Sequence, residues 1–133
     1  MTKSEAIDHL KNNAAMKHLI ESCEAGKDIG HYGRLTLAMV ARHFLEPDDL
    51  TALLAQDKDE SREEAAGLVH QVNDADYSPP GPGKIRKWQQ EQDFPILPEG
   101  SDNSDDANVY QDLDFPDQVY DGIKEYHRDM ADS

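Results

Sequence analysis

"GHYGRLTLAMVARHF", residues 30–44, is the stretch whose reading decides the fold. Its apolar residues recur at helical rather than alternating spacing. At about 100° per residue, Leu37, Val40 and Phe44 share one arc with Ala41 at its boundary, so residues 35–44 read as a buried helix starting near Arg34. Arg34, Ala38 and Arg42 fall at about 0°, 40° and 80° on the other side, and His31 extends that row if the helix reaches it. Buried helices rarely keep charge, so two arginines at this spacing need a reason. Guanidinium groups bind phosphate bidentately, the small Ala38 leaves space between them, and amides after the glycine-rich turn would add the helix dipole. The same spacing also suits arginines paired with carboxylates, and spacing alone favours that pairing.

Helical signals continue on both sides of this stretch. Upstream, Thr2 and Glu5 form a capping-box pattern, and Ile7, Leu10, Ala14, Met16, Leu19, Ile20 and Cys23 keep helical spacing. Asn12 and Asn13 are placed to break this run in two, and Gly26 to end it. Downstream, Pro47 with Asp48 and Asp49 marks a helix start ahead of Leu50, Leu53 and Leu54. Ser61 and Glu64 form a second capping box before Ala65, Leu68, Val69 and Val72. Residues 76–100 then hold five prolines and three glycines, which predicts an extended, turned segment with about two helical turns near residues 84–92. Pro116 opens a last predicted helix carrying Val119, Tyr120, Ile123 and Tyr126. The expected fold is mostly α: a compact domain of four to six helices with an irregular Pro-rich segment and an acidic C-terminal helix.

The 133 residues suit a single domain over 1–133, with a core at about 14–123 and a tail at 124–133. Asp and Glu total 28 against 13 Lys and Arg, a formal net charge of -15, and residues 93–133 carry -10 of it. Such a field repels nucleic acid and anionic membranes at long range, which argues against nonspecific DNA binding by the whole surface. Neither a run long enough to span a bilayer nor a signal-peptide pattern is present, so the expectation is a soluble cytoplasmic protein with no membrane partner. Cys23 is the only cysteine, which excludes an intramolecular disulfide and any four-cysteine metal centre.

Few motifs carry chemistry. "SDNSDDANVYQDL" has the carboxylate density of a calcium loop but neither the glycine nor the final Glu of an EF-hand. "PPGPGKI" lacks the spacing of a P-loop. "KIRKWQQ" sets Lys84, Arg86 and Lys87 beside Trp88, the composition of a single-strand stacking site, although Ile85 and Trp88 also suit core anchors of a short helix. The six histidines show no paired ligand spacing, and Cys23 reads as core. No nucleophile, base and orienter can be assembled, so catalysis by the chain alone is not expected.

"MKHLIESCEAGKDIGHYGRLTLAMVARHFL", followed by "YSPPGPGKI", "DFPILP" and "NVYQDLDFP", resembles the C-terminal domain of the archaeal and eukaryotic DNA primase large subunit. His31, Gly33, Arg34 and Arg42 match that family's H-x-G-R element and its later basic residue in order and spacing. Tyr77 and Pro79 match its Y-x-P-x-x-C, without the cysteine. In the family this helical unit is organised around a [4Fe-4S] cluster. Here Ala15, Pro82, Leu97 and Ala107 fall at about the four ligand positions, so the resemblance implies a version with no iron-sulfur cofactor, similar to the small third primase subunit of some archaea.

The resemblance implies a phosphate or nucleotide site at His31, Arg34 and Arg42, with Tyr77 beside it and Lys84, Arg86, Lys87 and Trp88 as weaker template contacts. The expected partners are a catalytic primase subunit or other replication protein, a nucleotide triphosphate, and single-stranded or primer-template DNA. Two other readings stay open: an acidic interaction module or nucleic-acid mimic, and a structural remnant whose basic stripe is capped by internal carboxylates. If a cluster has been lost, Trp88, Phe94, Leu97 and Tyr110 are expected to fill its place, because a void there would be costly.

Overall fold

A computed structural model describes residues 2–57, 60–75, 77, 79–97, 113 and 115. Among these residues the chain forms six α-helices and no strand: α1 (Lys3–Leu10), α2 (Ala14–Glu24), α3 (Gly30–Ala41), α4 (Pro47–Leu54), α5 (Arg62–Asp74) and α6 (Pro82–Gln90). The mostly helical fold expected from periodicity is thus present. The acidic segment at 101–112 and the helix predicted after Pro116 lie outside the described residues.

Local chemistry sets most helix ends. The Thr2 hydroxyl accepts from Glu5 N at 3.2 Å, but Glu5 returns to that hydroxyl rather than to the backbone, leaving the box half made. Asn13 separates α1 from α2 and caps α2, its Oδ1 accepting from Met16 N at 3.1 Å. Gly26, at φ 75°, closes α2 in a left-handed turn in which Lys27 N reaches back to Ser22 O. Pro47 starts α4, and Ser61 and Glu64 complete both halves of the box opening α5.

α3 is the central element, packing against α2, α4, α5 and α6. From Thr36 to Ala41 every residue on it is buried. Burying Leu37 alone contributes about 1.5–3 kcal/mol. Gly33 lets α3 approach α2: a Cβ there would stand 3.2 Å from Ile29 Cβ and 3.4 Å from Leu19 Cδ2. Two expectations for this helix change. It begins at Gly30 rather than near Arg34, because side chains from elsewhere accept its first amides. In addition, Ala38 is fully buried, so no open gap separates the two arginines.

Ala15 and Leu97 are core residues, while Trp88 and Phe94 pack partly buried against the same core. Pro82 is the first residue of α6. Ala107 and Tyr110 lie outside the described residues. Leu113 and Phe115 also join the core, with the Phe115 ring 5.2 Å from that of Phe44.

Candidate nucleic-acid interface

The start of α3 is built by residues from three parts of the chain. Ile29 precedes the helix and provides no side-chain cap. Ile29 N donates instead to Asp57 Oδ2, Gly30 N to Asp28 Oδ1, and Tyr32 N to Gln92 Oε1, each at 2.9 Å. The Gln92 amide also donates to Ile29 O and Phe94 O at 2.9 and 2.8 Å. Its one side chain therefore ties the segment after α6 to the start of α3. Gly30, at φ 78°, makes the approach possible, since a Cβ there would lie 2.5 Å from Gln92 Oε1.

Arg34 projects back toward this turn. Its guanidinium lies 2.7 Å from Glu60 Oε2, 3.3 Å from Asp57 Oδ2 and 3.3 Å from Asp28 Oδ1. The side chains of Arg34, Asp57 and Glu60 are 12%, 0% and 6% exposed, whereas that of Asp28 is 49% exposed. Burial works to lower the Arg34 pKa, but Glu60, Asp57 and Asp28 outweigh it and hold it above its ordinary value. The pairing of stripe arginines with internal carboxylates is therefore what the structure has at Arg34. Asp28 occupies a distinctive place in it: one oxygen takes both the Gly30 amide and the Arg34 guanidinium, as a phosphate oxygen would.

Arg42 is at the opposite end of α3, as its C-cap. Eight residues at about 1.5 Å rise put about 12 Å between the two arginine positions along the axis. The Arg42 guanidinium donates to Tyr77 O at 3.0 Å from Nε and 2.8 Å from Nη2. Arg42 and Tyr77, 35 positions apart in sequence, thus meet in space. Tyr77 is also the only large hydrophobic residue that stands out as exposed among the described residues, at 41%.

His31 is exposed, its ring edge-on to Tyr32 at 5.3 Å. Tyr32 in turn stacks on Trp88 of α6, with centroids 5.5 Å apart and planes 22° from parallel. Lys84 Nζ stands 5.3 Å from the Trp88 ring centroid. Ile85 is fully buried and Trp88 half-buried, so α6 anchors in the core while presenting Lys84 and Lys87 to solvent, with Arg86 half-buried. The structure thus joins His31 to Trp88 and Lys84 through Tyr32. The sequence reading passed over Tyr32, as it did Asp28, Asp57, Glu60 and Gln92. Asp28 two residues before a glycine is a visible turn signal, whereas nothing local marks Asp57, Glu60 and Gln92 as partners of α3, on which Tyr32 itself lies.

Beside Gly30 opens a cleft of about 630 Å³ whose walls include Asp28, Glu91 and Asp93. Among the described residues no group of three or more His, Cys, Asp or Glu side chains is placed to hold a metal ion, and no helix is long and apolar enough to cross a membrane.

Cys23 lies fully buried on α2. Burial, and then the charge of Asp57, push its thiol up to about 12 from its ordinary value near 9. The folded pKa exceeds the unfolded one, so the stability this group contributes is complete below about pH 9 and is lost as pH rises from there toward 12. At neutral pH a thiol reagent should label Cys23 only as denaturant unfolds the chain. Fast labelling of the native protein would contradict this placement.

Fold and site together define a small, strongly acidic helical protein with a local basic and aromatic surface where α3 meets α6. No protein-family model matches the chain, and no curated protein or solved structure matches it.

Proposed function

We propose that the chain is a non-catalytic, primase-related accessory protein that binds a 5′-triphosphate or primer-template end and helps a separate catalytic subunit begin a primer. The observation that carries this reading is the seat of Asp28. Its carboxylate is held by one backbone amide and one guanidinium of the G-H-x-G-R turn, and it is exposed enough to be exchanged for a phosphate oxygen. The meeting of Arg42 with Tyr77 also supports it, since the two stretches that carry the primase resemblance come together there. In this reading His31 contributes directly to binding the anion at the Asp28 seat, and Arg42, at the other end of α3, meets the strand that follows it. Arg34 contributes from behind, with Asp57 and Glu60 fixing its guanidinium. Phosphoryl transfer belongs to the partner, through metal-bound carboxylates. The chain itself would need no cofactor.

The test is fluorescence anisotropy, at fixed salt, of labelled single-stranded DNA with a 5′-triphosphate or a 5′-hydroxyl. The triphosphate strand should bind more tightly. His31→Ala with Arg42→Gln should weaken it about ten- to a hundredfold, as expected for losing hydrogen bonds to a charged group at about 1.5–3 kcal/mol. Equal affinity for the two ends, or no effect of the double substitution, would sink the proposal.

A second reading, an acidic interaction module, is favoured by the cleft beside Gly30. Its three carboxylates suit an arginine or lysine side chain of a basic partner better than a phosphate. Such a module should bind neither strand.

A further inference from the structure

We propose that Tyr32 and Trp88 together form the platform on which a base of a single-stranded nucleic acid stacks, with Lys84 and His31 taking the adjoining backbone phosphates. The inference rests on the functional reading above only in requiring a nucleic-acid ligand. It adds a residue and a contact type.

The rings are held before any ligand arrives. Trp88 is carried by a helix whose neighbouring Ile85 is fully buried, and Tyr32 lies in the first turn of the central helix with its amide bound to Gln92. The neighbouring Glu91 carboxylate pushes the Tyr32 pKa up, by hydrogen bonding and by its charge. Both rings are half-buried, so part of each stays open to solvent. Two near-parallel aromatic rings with an ammonium close to one of them are the parts of a sequence-tolerant stacking site, because every base has a π-face.

Charge then decides how a strand can lie. Exposed Lys84 stands by the Trp88 ring and exposed His31 edge-on to Tyr32, whereas Glu91 and Asp93 line the cleft beside Gly30. Phosphates are drawn to Lys84 and His31 and repelled by the cleft carboxylates, so a strand meets the rings with its backbone turned away from that cleft. The surrounding net charge of -15 discourages strands elsewhere on the surface.

Trp88 is the only tryptophan, so intrinsic emission reports this platform alone. The intact protein is titrated with 5′-hydroxyl oligothymidylate about ten nucleotides long, a length matched to single-strand sites, and with an abasic strand of the same length. The bases should quench Trp88 saturably while the abasic strand leaves it unchanged. Tyr32→Ala should weaken the base-bearing strand about tenfold without altering abasic binding, and Tyr32→Phe should retain most of the affinity. If anisotropy reports binding while Trp88 emission stays constant, or if the abasic strand quenches equally, the platform is overturned and the triphosphate site stands. If Trp88 is quenched but a 5′-triphosphate adds no affinity, the functional reading fails and the platform survives. No binding of any strand overturns both.

Discussion

Arg34→Ala should lower the stability of the folded protein by about 3–5 kcal/mol, the loss expected when one partner of a buried ion pair is removed. The guanidinium is paired with both Asp57 and Glu60, at 0% and 6% exposure. Without it two carboxylates stay in the interior beside each other, where their repulsion is poorly screened. Asp57 also accepts from Ile29 N, so the start of α3 should loosen with it. Denaturant unfolding checks this, with Lys17→Ala as the comparison. The exposed Lys17 and Glu21 pair spans 3.9 Å, and its loss should cost under about 1 kcal/mol. Adding Glu60→Gln to Arg34→Ala should recover part of the loss, because it removes one of the two carboxylates that shared the guanidinium. A loss for Arg34→Ala no larger than that for Lys17→Ala would show that the guanidinium does not hold this turn together. The result also guides binding experiments, since a variant that removes Arg34 confounds lost affinity with lost fold.

The second large effect is expected at Gly30. Gly30→Ala should cost about 3 kcal/mol, in two parts. Placing a Cβ at φ 78° strains the backbone by about 1–2 kcal/mol. The new Cβ also collides with the Gln92 amide. A long side chain usually moves aside cheaply, but this amide makes three hydrogen bonds, each worth about 0.5–1.5 kcal/mol, and moving it breaks them. Gly26→Ala separates the two contributions. Its φ is nearly the same, at 75°, but nothing lies within 4 Å of its Cβ, so only the backbone part remains. Equal losses for the two substitutions in thermal or denaturant unfolding would mean that Gln92 does not lock α3.

These expectations separate what was legible in the sequence from what was not. Asn13, Gly26, Pro47 and the Ser61 and Glu64 box each act within a few residues of their own helix end, so the sequence showed them directly. The apolar stripes were equally legible, because a helix turns each side chain through a fixed angle. α3 was misjudged at its start because it carries no cap of its own. The acceptors of its first amides include Asp57 and Gln92, 28 and 60 positions from their donors, and no local pattern reports such a partner. The candidate site divides along the same line. His31, Arg34, Arg42 and Trp88 could be singled out by residue type and spacing. Whether Arg34 faced a ligand or a carboxylate could not.

The amino-acid sequence by itself determined that the described part of this chain is helical, where most of those helices begin, and that the chain carries a net charge of -15. All of that follows from short-range geometry and composition. Only the tertiary structure decided that Arg34 is held by Asp28, Asp57 and Glu60, that Arg42 meets Tyr77, and that Tyr32 joins His31 to Trp88. Each of those depends on which distant side chains the packed helices bring within reach, and the long-range packing of α3 against its neighbours is what sets them there.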